Sequence, residues 1–592
     1  TIRVTALYPG ANAKVVADNV AAPIEKEVNG VEKMLYMSSS SSNDGRYQLA
    51  VTFEVGTNPD VDQVNLQNRI QLATPKLPQD VVAQGISVRR RSTDILGAIA
   101  FFSPEGTRDK LFLSNYVSRN IKDALVRLNG VSDVHIFGEI EYSMRIWMNP
   151  EQLTARGLTA DDVITAVREQ NIQAAVGSIG TSPAGTDQQL LYTLRAKGRL
   201  NEVKDFKNII VRSNDQGGLV RIGDIARVEL GGRSYGASSI INGQPSLGMG
   251  VYRSSDANAL DTMKAVRAEL KRLAKRMPED VQYKVIFDTT KYVSAAIHEI
   301  SLTLFITFLL VLFVNFIFLQ DWRATLVPTV TIPVSLIGTF AVLLALGYSA
   351  NTLSLFALIM AIGLVVDDAI IVVENVYRIM ENRKLSPKPA TMRAMGQVTG
   401  PIIATTLVLL AVFVPVGFMP GITGQLYKQF AVTICTAVVI SAINALTLSP
   451  ALCAVLLREP KVIRRGPLSW FNRTLEVTRN VYVASTAWLI RRLFVALLIF
   501  VGVLGAGYFL FNRTPSSFLP PEDQGVFFIN AQLPEGASIV RTSRVMQQVT
   551  RTLKDIDGVE DVLGISGFSL LSGTAENVAF GIIPLKPWNE RT

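Results

Sequence analysis

Two cysteines and two histidines are all that the 592 residues contain. Cys435 and Cys453 share one apolar run. On a helix rising about 1.5 Å per residue they stand roughly 27 Å apart, beyond disulfide reach, and they read as small packing residues. His135 and His298 have no ligand-like neighbours, so no metal site is expected. The chain lacks the G-x-x-x-x-G-K-S/T loop that cradles phosphate, so nothing points to ATP as an energy source. Charge is sparse at 18%, against 48% hydrophobic residues, with 42 Gly and 26 Pro. These figures exclude a disordered tail, a collagen and a small disulfide-stapled module. At about 150 residues per domain the length suggests three or four domains.

The scarcity of charge is local. Residues 300–457 hold 12 of the 107 Asp, Glu, Lys and Arg residues (58 basic plus 49 acidic), and the other 434 residues hold 95. The chain is therefore part membrane and part water-soluble. It opens at Thr1 on an alternating strand and ends at Thr592 in a charged stretch. It is expected to be a piece of a longer protein, with any targeting segment or first span upstream.

A span needs about 20 mostly apolar residues, and six are expected: 298–319, 326–346, 352–374, 401–419, 430–457 and 493–511. The first, third and fifth connections carry 14 Lys and Arg, the second and fourth only Lys428. The positive-inside rule puts the basic loops in the cytoplasm, and 1–297 and 512–592 together on the outer side. The net charge of +9 is thus partly topological, and no nucleic-acid partner is expected. The arginine-rich segment 464–486, with Trp470, Phe471, Leu475 and Val481, suits either an amphipathic helix on the cytoplasmic surface or a plain connecting loop that contains a helix.

The water-soluble parts repeat one unit. In 1–37 a strand runs into Tyr8-Pro9-Gly10-Ala11, Asn12 can cap a helix, and Asn29-Gly30 ends it. In 526–564 a strand runs into Pro534-Glu535-Gly536-Ala537, Ser538 can cap, and Asp557-Gly558 ends the helix. Asn129-Gly130 closes a partial third copy. A unit found on both sides of the membrane block is an internal repeat. The fold class expected is a polytopic α-helical membrane protein with large α/β subdomains in open layers. Residues 186–232 carry a hairpin signal, with Asn214-Asp215-Gln216-Gly217-Gly218 between two short strands.

Asp367 and Asp368 lie side by side in the third span, roughly 7 Å from its middle near Gly363. An ionised carboxylate there costs about 2.5–3.5 kcal/mol on insertion scales, and two neighbours repel each other. Such a pair suits a carrier that takes up protons from one side and releases them to the other. Glu374, at the cytoplasmic end, reads as interfacial. A structural pair neutralised by a base would need a partner elsewhere, because no Lys or Arg lies inside these six spans. An intramembrane aspartyl protease needs two facing carboxylates sharing a proton. Adjacent helix residues point about 100° apart, and no other span carries an internal acid. An enzyme is therefore not expected.

The runs FLQDWRATLVPTVTIPVSLIGTFAVL from Phe318 and GLVVDDAIIVVENV over 363–376 resemble the resistance-nodulation-division (RND) transporters, closest to their hydrophobe/amphiphile branch of AcrB- and MexB-like multidrug efflux pumps. YPGA (8–11), NGVEKMLYMSS (29–39), MRIWMNP (144–150), SPALCA (449–454) and PSSFLPPEDQG (515–525) extend the likeness along the whole chain. The resemblance implies proton-driven efflux of hydrophobic or amphiphilic compounds by a homotrimer in the Gram-negative inner membrane. It also implies ferredoxin-like periplasmic subdomains, a periplasmic adaptor protein and an outer-membrane channel, with no cofactor beyond protons. It assigns 1–93 to a first porter subdomain, 94–141 with 233–297 to a second, and 142–232 to a docking subdomain. It gives 298–457 to family spans two to six, 458–490 to a cytoplasmic connection, 491–511 to span seven, and 512–592 to the start of a second porter repeat. Asp367 and Asp368 match the proton-relay pair, whose partner Lys belongs to later spans. Ile95, Phe137, Phe287, Leu563, Phe568, Leu570 and Ile582 match the drug pocket, and 566–576 its switch loop. Two alternatives are a metal exporter of the same family, which would want converging Met ligands, and a non-transporting receptor of the same topology. Met34, Met37, Met144, Met148, Met249 and Met263 are scattered in sequence, so metal export is the less expected.

Overall fold

The computed structural model describes the chain apart from residues 55, 91–94, 174, 182, 184–188, 196–197, 214–217, 255–256, 459–466, 515–521, 571–572 and 592. Two units emerge, an α/β unit of Thr1–Tyr292 with Asp523–Thr592, and a helical unit of Val293–Glu522.

The α/β unit begins on strand Ile2–Leu7, whose alternate residues Ile2, Val4 and Ala6 are buried. The Asn12 side chain accepts from Val15 N–H at the start of the following helix. That helix runs on to Val28 through one π turn, and Gly30 follows at φ 88°, where a Cβ would strain the chain. The first sheet is ordered Met34–Ser41, Arg46–Phe53, Ile2–Leu7, Ser87–Arg90, with every neighbour antiparallel. Residues 526–566 repeat the strand–helix–strand pattern with Val526–Gln532, Ile539–Lys554 and Leu563–Ser566, and Gly558 has φ 95°. Ser538, expected to cap, makes no side-chain cap bond. Glu576 takes that place: its carboxylate accepts from Ile539 N–H at 3.4 Å and its carbonyl from the Thr542 hydroxyl at 2.6 Å. A negative charge at a helix N-terminus serves the same need as a cap.

The larger sheet joins the two segments of chain that flank the helical unit. Its order is Gln282–Asp288, Ile95–Phe102, Gln244–Arg253, Ser238–Ile241, Leu563–Ser566, Val578–Pro584, Val526–Gln532, and Val131–Phe137 also pairs with Gln244–Arg253. At the seam Ser238 faces Ser566 and Ile241 faces Leu563. A polar clasp pins this register. Asn242, at φ 50°, donates to Asp561 Oδ1 at 2.9 Å and accepts from Val562 N–H at 2.9 Å. Lys284 Nζ stands 2.7 Å from Asp561 Oδ2, and Asp561 is almost fully buried.

In a separate two-stranded sheet Tyr142–Met148 pairs with Ala226–Gly232 over a core that includes Leu153, Val163, Phe206 and Ile222. The expected hairpin is present as Ile210–Ser213 against Leu219–Arg221, and its turn at 214–217 lies outside the described residues.

Among the described residues the helical unit carries six helices long and apolar enough to cross a membrane: Thr289–Leu319 (which starts in the α/β unit's last residues), Trp322–Ala345, Thr352–Arg383, Pro387–Phe418, Leu426–Leu456 and Leu493–Arg513. Several overrun the apolar stretches. The first starts at Thr289 instead of 298, the third runs to Arg383 instead of 374, and the fourth starts at Pro387 instead of 401. Helical hydrogen bonding continues into polar sequence, whereas hydropathy marks only the part suited to lipid. The third span stops where Lys384 adopts φ 50°, ψ 42°. The fifth is interrupted at Thr447 (φ −122°, ψ −66°). Residues 467–491 form one helix that exposes Trp470 and Val481; the rest of the expected amphipathic segment, 464–466, lies outside the described residues.

Replacing Asp561 with Ala strips the clasp of its acceptor and leaves Asn242 and Lys284 unmatched. The expected cost is about 1–3 kcal/mol of α/β-unit stability, seen as a lower denaturant midpoint. An unchanged midpoint would show that the strand pairing alone sets the seam.

Candidate functional site

In the helical unit the two aspartates part company. Asp368 is buried, with 8% of its surface exposed, whereas Asp367 is exposed on another face of the third span. Consecutive helix positions diverge by about 100°, which accounts for the split. Asp368 meets the fifth span, where the Ser441 hydroxyl lies 3.0 Å from its Oδ2 and 3.1 Å from the Val365 carbonyl. Alanines line the contact there: Ala361 and Val365 pack on Ala437, and Ala357 on Ile434 and Val438. Small side chains at such a seam let backbones approach. One turn beyond Ser441, Asn444 donates to Ser335 Oγ of the second span at 2.9 Å, with both residues buried. The third, fifth and second spans are thus stitched by polar contacts next to a carboxylate. Ser441 and Asn444 are three positions apart and share a helix face. That spacing was their only mark in the sequence.

In the α/β unit, six of the seven residues matched to a drug pocket come together. Phe137, Phe287, Leu563, Phe568 and Ile582 belong to one buried cluster, and Ile95 packs against it. Leu570 does not join; it is 43% exposed, and its neighbours 571–572 lie outside the described residues. The cluster contains more rings than those positions supply. Phe137 and Phe568 have ring centroids 5.0 Å apart, and His135 lies 5.4 Å from Phe137 and 5.9 Å from Phe568. Phe528 stacks on Phe580 at 5.6 Å and meets Phe287 edge-on at 5.6 Å. His135, read as isolated, is two residues before Phe137 on strand Val131–Phe137, so both project from the same face. Aromatic contacts of this kind contribute about 0.5–1.5 kcal/mol each beyond burial.

Room for the Phe137 ring comes from the paired strand. Gly248 stands opposite Phe137 and Gly250 opposite His135. A Cβ on Gly250 would sit 2.9 Å from Phe137 Cζ, and one on Gly248 3.2 Å from its Cδ2. Gly250→Ala is therefore expected to displace the Phe137 ring and to cost about 1–3 kcal/mol as overpacking. Combining it with Phe137→Leu should recover part of that loss in a denaturation series. Simple additivity of the two costs would refute the steric coupling.

Comparison with known proteins is consistent from end to end. The family model described as the AcrB/AcrD/AcrF family matches residues 1–592. The chain is 45% identical over 598 aligned residues to the multidrug export protein AcrF of Escherichia coli K12. It is 42% identical to the multidrug resistance protein MdtF of Escherichia coli O157:H7, and 42% identical to the toluene efflux pump membrane transporter TtgB of Pseudomonas putida DOT-T1E. In each case all of this chain is aligned with 57% of the relative, so the chain spans about half the length of the curated relatives it matches. With six long apolar helices and antiparallel α/β layers that fit this pattern, the chain belongs to the AcrB/AcrD/AcrF family of RND transporters.

Proposed function

We propose that the full-length protein containing this chain is a proton-driven efflux transporter of hydrophobic and amphiphilic compounds, not an enzyme. The observation that carries the reading is the adjacent acidic pair in the third span, one member fastened to Ser441 inside the bundle and the other exposed. A carboxylate in an apolar bundle is tolerable when neutral and costly when charged. Gain or loss of a proton at Asp368 therefore changes what the third, fifth and second spans gain by staying packed. The names of the matched relatives, which speak of multidrug export and toluene efflux, favour a compound over a metal as cargo. The rings buried around Phe137 and Phe568 would offer apolar faces to such cargo once the cluster opens.

On this reading protons are the coupling ion and no resident cofactor is used. The protein resides in the Gram-negative inner membrane with its α/β parts in the periplasm. It works as a homotrimer with a periplasmic adaptor and an outer-membrane channel. The helix 467–491 is the cytoplasmic connection, and residues 142–232 form the docking subdomain.

The test is dye efflux by full-length protein in proteoliposomes under an imposed proton gradient. Asp367→Asn and Asp368→Asn are each expected to reduce efflux to the level seen with no gradient, because Asn keeps the shape and cannot carry a proton. Ser441→Ala should retain efflux with a shifted pH profile. Full gradient-driven efflux by both aspartate variants would reject the relay.

A further inference from the structure

The helix Pro467–Arg491 touches the bundle near its start. Phe471 and Asn472 are partly covered, whereas every residue from Arg473 to Ser485 is exposed. From Asn472 to Arg491 the helix reaches roughly 29 Å, on a rise of about 1.5 Å per residue. It turns at Arg492 (φ −126°, ψ 63°) into the sixth span, which has no buried residue among those described.

The attachment is specific. Gln320 Nε2 donates to Asn472 Oδ1 at 2.5 Å, and Asn472 Nδ2 donates to Gln320 Oε1 at 3.1 Å. Beside this amide pair Phe471 meets Phe318 edge-on at 5.4 Å. Gln320 stands just past the end of the first span, where its N–H donates to the Phe316 carbonyl at 2.8 Å and its φ is 52°. Such a left-handed position after a helix favours Gly or Asn, and any β-carbon there is strained. The backbone gives no reason for a Gln; its side chain does.

The next residue links the same corner to the third span. Asp321 caps the second span by accepting from Arg323 N–H at 2.8 Å. Its Oδ2 accepts from the Tyr377 hydroxyl of the third span at 2.6 Å. Capping needs only the first of these bonds. Tyr377 follows Asp368 on the unbroken helix Thr352–Arg383, about 14 Å further along it. Leu319 and Tyr377 also pack against a core drawn from the second to fifth spans.

We propose that helix 467–491 is a strap clasped to the bundle at residues 318–321, and that Gln320 and Asn472 are positioning residues for efflux. One helix, one hydroxyl–carboxylate bond and one corner join Asp368 to the strap. A shift of the third span at Asp368 carries Tyr377, Asp321 and Gln320 with it, and Asn472 follows. Coupling through packed and hydrogen-bonded groups requires an arrangement that both ends bias; here it is the placement of the strap. The part in efflux rests on the transporter reading; the clasp does not.

The experiment uses full-length, cysteine-free protein in proteoliposomes, spin-labelled at Met392→Cys on the fourth span and Tyr482→Cys on the strap, both exposed positions. Double electron–electron resonance reads the distance between the labels, and dye efflux under a proton gradient reads transport. The parent should give one narrow distance that shifts in Asp368→Asn, and adding Tyr377→Phe should abolish that shift. Asn472→Ala should broaden the distance and cut dye turnover about threefold or more, with KM unchanged. Gln320→Gly removes the clasp and relieves the left-handed backbone together. It should keep the denaturation midpoint at or above the parent's, yet broaden the distance and slow efflux as Asn472→Ala does. Exchanging the pair, Gln320→Asn with Asn472→Gln, keeps both amides and should restore both readouts. A parent-like distance or full turnover in Asn472→Ala and Gln320→Gly would overturn the proposal. Clasp-dependent distances in a parent that shows no gradient-driven efflux would count against the transporter reading alone.

Discussion

A carboxylate buried among apolar helices has to be offset where it stands. Asp368 is that group, and the seam between the third and fifth spans meets it. Ala361, Val365 and Ala437 bring the third and fifth spans close enough for the Ser441 hydroxyl to reach its Oδ2. A neutral hydroxyl partner eases burial without neutralising the charge, as an arginine or lysine would. The packing of this seam therefore stays sensitive to whether a proton is present. The Asn444–Ser335 bond extends the polar seam to the second span, so a change at Asp368 bears on three helices.

The α/β unit solves a different problem with similar means. Its large sheet draws strands from the chain segments that precede and follow the helical unit in sequence, and the pairing of Ser238–Ile241 with Leu563–Ser566 closes it. Strand pairing leaves register open to slippage unless side chains fix it; the Asn242–Asp561–Lys284 clasp does so from a nearly buried carboxylate. The same sheet carries the aromatic cluster, with glycines opposite His135 and Phe137 where rings need space. Cluster and seam share strand Leu563–Ser566.

Sequence and structure agree where a physical signal is local. The spans were legible as runs of apolar residues, the repeated strand–helix–strand unit from its turns and helix stops, and the acidic pair from its oddity in such a run. Span ends were not, because helical hydrogen bonding outlasts the apolar stretch. Ser538 failed as a cap because Glu576, distant in sequence, occupies the helix end. Ser441 and His135 were passed over for a related reason. Each is unremarkable on its own strand or helix and gains a role only from a neighbour brought up by the fold. Of the seven residues matched to the pocket, Leu570 alone stays outside the cluster; likeness in sequence locates a position but not the direction of its side chain.

The central claim is that Asp368 gains and loses a proton within the membrane. Infrared difference spectroscopy on the full-length protein, titrated across a range of pH, reads this directly through the carbonyl stretch of protonated carboxylic acids. The account predicts a band that appears and disappears with pH, shifts when Ser441 is replaced by Ala, and is missing in Asp368→Asn. A band that persists unchanged in Asp368→Asn, or no titrating band at all, would contradict it.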